Sequence, residues 1–124
     1  MTALALVLAI VLGVLLIGFG AIEAFFSRSK RFYPLFRIRE EHAPAVRIWT
    51  INVGFYNIVW GLGIIVGAIL AAVGQVVVGK TMVVFVAAAM ILLGLVLLLS
   101  ERRLWRGAAV QGGLGLIVLV AWLV

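Results

Sequence analysis

Four long apolar runs, parted by short clusters of charge, make up most of this chain: Met1 to Ile22, Ile48 to Gly79, Thr81 to Ser100 and Gly107 to Val124. About 20 apolar residues, each rising about 1.5 Å along a helix, cross the hydrocarbon of a bilayer, so every run predicts a spanning helix. The second run is longer than one crossing needs. Its pattern predicts a helix from about Arg47 to about Val73, with Gly74 and Gln75 opening a turn ahead of Lys80. The expected architecture is all-α: one membrane domain over 1–124, a bundle of helices at about 3–26, 47–73, 81–100 and 105–123. No run alternates with a period of two, which excludes the strands of a transmembrane barrel.

A cleaved secretory leader is the competing reading of Met1 to Ala24. No Lys or Arg precedes the apolar run, and no convincing small-x-small cleavage site ends it before charge appears, so it is read as a mature first helix. Composition points the same way. With 67% hydrophobic and 11% charged residues, the chain has too little polar surface to coat a water-soluble particle. Cysteine is absent, which removes disulfides, thiol nucleophiles and thiolate metal sites from consideration.

Charge sets the expected orientation. Arg28, Lys30, Arg31, Arg37, Arg39 and Arg47 lie between the first two helices, and Arg102, Arg103 and Arg106 between the last two. Only Lys80 lies on the opposite side. Basic loops stay in the cytoplasm, so both basic connections are expected there and both termini outside, in a multi-pass protein of the cell (plasma) membrane, the inner membrane of a bacterium. The net charge of +6 does not imply nucleic acid, because no basic helix face interleaved with aromatics accompanies it; anionic membrane lipids account for the same residues. Phe25 and Phe26 followed by Arg28 to Arg31 form an interface anchor, and Pro34 is placed to start either a short helix among the headgroups or an irregular loop.

Against this apolar background the polar residues stand out, since each costs free energy in hydrocarbon. Glu23 is the only ionisable side chain of the first run; Asn52, Tyr56 and Asn57 lie in the second and Gln111 in the fourth. Counted from the basic side, all lie at comparable depth, ~6 to 15 Å at ~1.5 Å per residue. Asn52 and Tyr56 are spaced to share one helix face, continued by Gly63, Gly67 and Ala71, whereas Asn57 points about 100° away beside Gly54 and Gly61. A helix with polar groups on two faces suits contact with two neighbours, and Gly112, Gly113 and Gly115 offer a similar close approach in the fourth helix.

Two accounts of these residues stay open. In one, Asn, Tyr and Gln bind helices together, each hydrogen bond contributing ~0.6 to 2 kcal/mol, while Glu23 reaches back to Arg28 or Arg31. In the other, Glu23, Asn52, Tyr56, Asn57 and Gln111 line a cytoplasm-facing pocket for a headgroup, a cation or a proton. Equipment for catalysis is thin. His42 lies beside Glu40 and Glu41 and reads as solvated; there is no Asp, no Ser-His-acid order and no phosphate-cradling loop. No cofactor and no metal are expected, and Glu101 beside Arg102 and Arg103 reads as an interfacial ion cluster.

Taken together, Ile22-Glu23-Ala24-Phe25 closing the first helix, Phe36-Arg37-Ile38 in the basic loop, Asn52-x-Gly54-x-Tyr56-Asn57 with Gly61 and Gly63 beyond it, and the late Gln111 form a recognisable set. On these motifs the chain resembles the domain-of-unknown-function 1304 family of small bacterial four-helix membrane proteins, over nearly its whole length. The family often reads Asn-Gln-Gly where this chain has Asn52-Val53-Gly54, and carries His and Tyr near Leu16 and Gly18, so chemistry relying on that histidine is not expected here. Some members are labelled epimerases; nothing in these residues supports carbohydrate epimerisation. The resemblance implies the fold and brings no activity. Three functions compete: a non-enzymatic protein binding a small polar or cationic ligand or lipid headgroup, a small proton-coupled transporter, and a structural or accessory subunit that self-associates or joins a larger membrane complex.

Overall fold

A computed structural model describes residues 2–26, 34, 39 and 43–124, and among them the chain forms four long helices, each apolar enough to cross a membrane. Helix α1 is Ala3–Phe25, started by Thr2, whose Oγ1 accepts a hydrogen bond from the Ala5 N–H at 3.1 Å. Helix α2 is Ala43–Ala72, α3 is Val76–Ser100 and α4 is Trp105–Leu123. A single 3-10 turn, Arg102–Leu104, joins the last two. Pro34 is helical, but Phe32, Leu35, Phe36 and Ile38 of the short helix expected there, and the Glu40, Glu41, His42 group, lie outside the described residues, as do Arg28 and Arg31.

Two helix starts lie earlier than the apolar pattern suggested. α2 begins at Ala43 rather than near Arg47, and α3 at Val76 rather than Thr81. The second shift has a local cause. Gly74 takes φ +105°, and the Gln75 N–H bonds the Leu70 carbonyl at 2.8 Å while the Gly74 N–H bonds Ala71 at 3.3 Å. This paired closure ends α2 so tightly that α3 starts within a few residues, and Lys80 falls inside its first turns.

Around the bundle, α1 packs on α2, α2 on α3, α3 on α4, and α4 returns to α1 over the smallest of these contacts. Glycine makes the closest approaches. On α1, Gly13 and Gly20 face Gly61 and Gly54 of the antiparallel α2: a Cβ added at Gly61 would lie 2.6 Å from the Gly13 carbonyl oxygen, and one at Gly54 would lie 2.5 Å from the Ala24 nitrogen. Gly67 of α2 meets α3 near Met82 and Gly79, and Gly115 of α4 meets Ala87 of α3. In hydrocarbon, where burying apolar surface brings no gain, such backbone proximity is what supplies dispersion contacts between helices.

Large apolar side chains fill the interior from the end holding the termini to just past the middle of the helices. Leu12, Ile64, Val83, Met90 and Val118 are fully buried there, joined by Leu16 and Trp122. Trp122 also ties the last helix to the first, donating from Nε1 to the Ala5 carbonyl at 2.8 Å. This part contains both described helix ends near the termini and the α2–α3 turn. Toward the opposite end, which holds the basic connections, the buried apolar residues among those described are the small Ala24 and Ala108.

Candidate functional site

Where the apolar core stops, polar side chains continue its stripes. Glu23 follows the buried Leu16 by seven residues on α1, Asn57 precedes the buried Ile64 by seven on α2, and Gln111 precedes the buried Val118 by seven on α4. Seven residues turn a helix through about two revolutions, so each polar residue shares the face of the core residue seven positions away. The same step from Met90 on α3 reaches Leu97, which is partly buried. Three of four helices thus present an acid or an amide to the interior at the basic end.

The structure joins two of these directly. The Asn57 amide donates from Nδ2 to Glu23 Oε1 at 2.7 Å, across the α1–α2 seam and in a partly buried setting. The glycines explain why the pair meets. Gly54 and Gly61 lie on either side of Asn57 on the same face of α2, and their contacts with Gly20 and Gly13 bring the two backbones close enough for a short amide to reach a glutamate. A T-shaped contact between Phe25 and Phe55, ring centroids 5.4 Å apart, closes the seam beside them. Glu23 Oε2 and Asn57 Oδ1 accept no hydrogen bond from any described residue, so the pair presents two open acceptors. Gln111 is half-buried and makes no side-chain hydrogen bond to a described residue.

Asn52 and Tyr56 stand elsewhere. Asn52 is exposed and satisfies its amide within its own helix, donating from Nδ2 to the Ile48 carbonyl at 2.7 Å. Tyr56 is 66% exposed on the outer surface of α2. The small-residue face expected to run on from them turns instead to α3, where Gly67 and Ala71 pack against Gly79, while Asn57 keeps the company of Gly54 and Gly61 against α1. α2 does contact two neighbours, with its amides divided between an inner and an outer face. Beyond the helices, Glu101 grips Arg103 in a fork, Oε1 to Nε at 2.9 Å and Oε2 to a terminal nitrogen at 3.0 Å.

Gly13 and Gly20, which position the site, and Trp122, which ties α4 to α1 at the opposite end of the bundle, were not singled out from the sequence. A signal for the first two existed: the seven-residue spacing of Gly13 and Gly20 matches that of Gly54 and Gly61, a complementary ladder for antiparallel helices. Trp122 carried no comparable mark.

These features define a class, the all-helical multi-pass membrane protein whose interior changes from apolar to polar along its length. Within it, the chain belongs to the family described as protein of unknown function, DUF1304, whose model matches residues 6–123. No curated protein and no solved structure matches it.

Proposed function

We propose that this chain is a non-enzymatic membrane protein that binds a small polar or cationic species, or the cationic part of a lipid headgroup, at the end of the bundle carrying the basic connections, with that end in the cytoplasm and both termini outside. The observation that carries this reading is the Asn57–Glu23 hydrogen bond on the interior face. A glutamate two residues from the end of α1 has a short route to headgroup water. Glu23 turns inward to an amide instead, and the pair leaves two oxygens that accept no hydrogen bond from a described residue. Acceptors of this kind suit a cation or an N–H donor, and Gln111 adds a group able to donate or accept on the facing helix.

The test compares wild type with Glu23→Gln and Asn57→Ala in lipid nanodiscs, titrated with monovalent, divalent and quaternary ammonium cations and with short-chain lipids. Either substitution is expected to weaken binding by about tenfold or more, the equivalent of one charge-assisted hydrogen bond. Well-folded variants that bind every probe as wild type does would sink the proposal. Flux measured on sealed proteoliposomes separates binding from transport: pH-driven movement of the bound cation, lost in Glu23→Gln, converts the binding protein into a proton-coupled transporter.

A second reading, self-association, is favoured by the outer face of α2, where Asn52 and Tyr56 point away from the bundle. Amide and phenol groups on a lipid-facing surface gain from a partner helix. The chain has no cysteine, so a single thiol reports cleanly. Val59→Cys, one turn beyond Tyr56 and exposed, is expected to cross-link in membranes, whereas Leu92→Cys on the exposed side of α3 is not. Equal cross-linking at both positions argues for random collision.

A further inference from the structure

A second site lies on the opposite seam. Between α3 and α4, at the basic end, an open apolar cleft of about 320 Å³ is lined by Ile91, Leu95 and Leu98 on one side and Trp105, Ala109 and Gly112 on the other. Its origin is the close contact of backbones beneath it. A Cβ added at Gly94 would lie 3.1 Å from both the Gly112 Cα and the Ala108 carbonyl oxygen, so the floor is main chain and the walls are the leucines that flank it. From Leu98 to Ile91 the cleft runs about two helical turns, or roughly 10 Å, into the membrane.

The mouth of the cleft is cationic. Trp105, at the start of α4, lines it, and the Arg106 guanidinium lies 5.5 Å from the Trp105 ring centroid. Arg103 is committed to Glu101 through the forked ion pair. Arg102 and Arg106 are both exposed and form no ion pair with a described residue. An apolar trough about 10 Å long is too short for a partner helix, whose contact would extend over most of a ~30 Å span. It does fit the upper part of one acyl chain, and the guanidinium groups of Arg102, in the connecting 3-10 turn, and of Arg106, beside Trp105, form no ion pair with a described residue and fit a phosphate.

We infer that this cleft is a binding site for one anionic phospholipid of the surrounding bilayer, with an acyl chain lying between α3 and α4 and the phosphodiester held by Arg102 and Arg106. Trp105 stands at the level of the glycerol, where an aromatic ring with one polar edge is best placed. The site is separate from the Glu23–Asn57 pair and does not depend on it.

Native mass spectrometry of the full chain, released from mixed micelles containing phosphatidylglycerol and phosphatidylcholine with identical acyl chains, tests the assignment. Wild type is expected to retain one phosphatidylglycerol with about tenfold to thirtyfold preference, as two interfacial arginines provide. Ala109→Phe, at an exposed position within the trough, fills the cleft and is expected to abolish retention of the lipid. The double variant Arg102→Gln, Arg106→Gln keeps the trough and is expected to bring the two lipids to parity. Soluble glycerol phosphate, which lacks the acyl chain, is expected not to compete. Equal retention of the two lipids by wild type, undiminished retention by Ala109→Phe, or an unchanged preference in the double variant would each overturn the inference. Loss of a protein dimer in Ala109→Phe, with lipid retention unaffected, would assign the cleft to a second copy of the chain.

Discussion

Substituting Gly20 by alanine is expected to destabilise the bundle by about 3 kcal/mol, while Gly18→Ala, two positions earlier on the same helix, stays within about 1 kcal/mol of wild type. A Cβ at Gly20 would run into the Gly54 carbonyl oxygen and stand 2.9 Å from the Ile58 nitrogen. Both are main-chain atoms, so no rotamer change relieves the overlap, and the helices must separate along the seam of Gly13 and Gly20 with Gly61 and Gly54. At Gly18 an added Cβ meets nothing within 4 Å. There the gain in helix propensity works in alanine's favour, by at most about 1 kcal/mol. Unfolding in mixed micelles of rising dodecyl sulfate content, followed by circular dichroism, reads both values. Equal effects at the two positions would show that helix propensity, not backbone contact, governs this seam. Separation at Gly20 also lengthens the Asn57–Glu23 hydrogen bond, so the same variant is expected to lose ligand binding at that pair.

Trp122→Ala is expected to cost about 2–3 kcal/mol in the same assay. Removing a buried tryptophan from a soluble core costs about 3–5 kcal/mol, part of which is transfer from water. Within hydrocarbon that part largely falls away, because lipid tails are as apolar as the core; the cavity and the lost dispersion contacts remain. To these is added the hydrogen bond from Nε1 to the Ala5 carbonyl, 2.8 Å long and buried, whose loss contributes about 0.6–1.7 kcal/mol. Trp122→Phe keeps most of the ring and is expected to lose only this last amount. If Phe and Ala destabilise equally, the hydrogen bond rather than the packing holds the two helices together.

The four helices were legible because each apolar run is long and each break is charged, two signals that survive without any knowledge of packing. Their rotation about their own axes was not. In a soluble helix the buried stripe is apolar and the rest polar, so the sequence marks the inside. Here Leu12 faces the core and Val11, its neighbour, faces outward with equal hydrophobicity. Asn52, Tyr56 and Asn57 could therefore be placed at one depth but not on one side. Glycine resolved it: Gly54 and Gly61 turn the Asn57 face to α1, which carries Asn52 and Tyr56 away from it. The ladder formed with Gly13 and Gly20 is visible in the sequence only when the two helices are compared in antiparallel order. Gln111 was legible as an oddity in an apolar run, and its place on the Val118 stripe emerged only with knowledge that Val118 is buried.

The glycine ladder also governs how this bundle can move. Ile17, Ile58 and Ile65 stand against the glycine positions like teeth in notches, so sliding α1 along α2 by one turn would press a branched side chain into main chain. That pair is a single stiff limb. Its contact with α4 is the smallest of the four, and at the far end Trp122 pins the two limbs together through Ala5. Widening around Glu23 is therefore easiest between α1 and α4 at the basic end, with Trp122 and the contact of Gly67 and Ala71 with Gly79 acting together as the pivot at the far end.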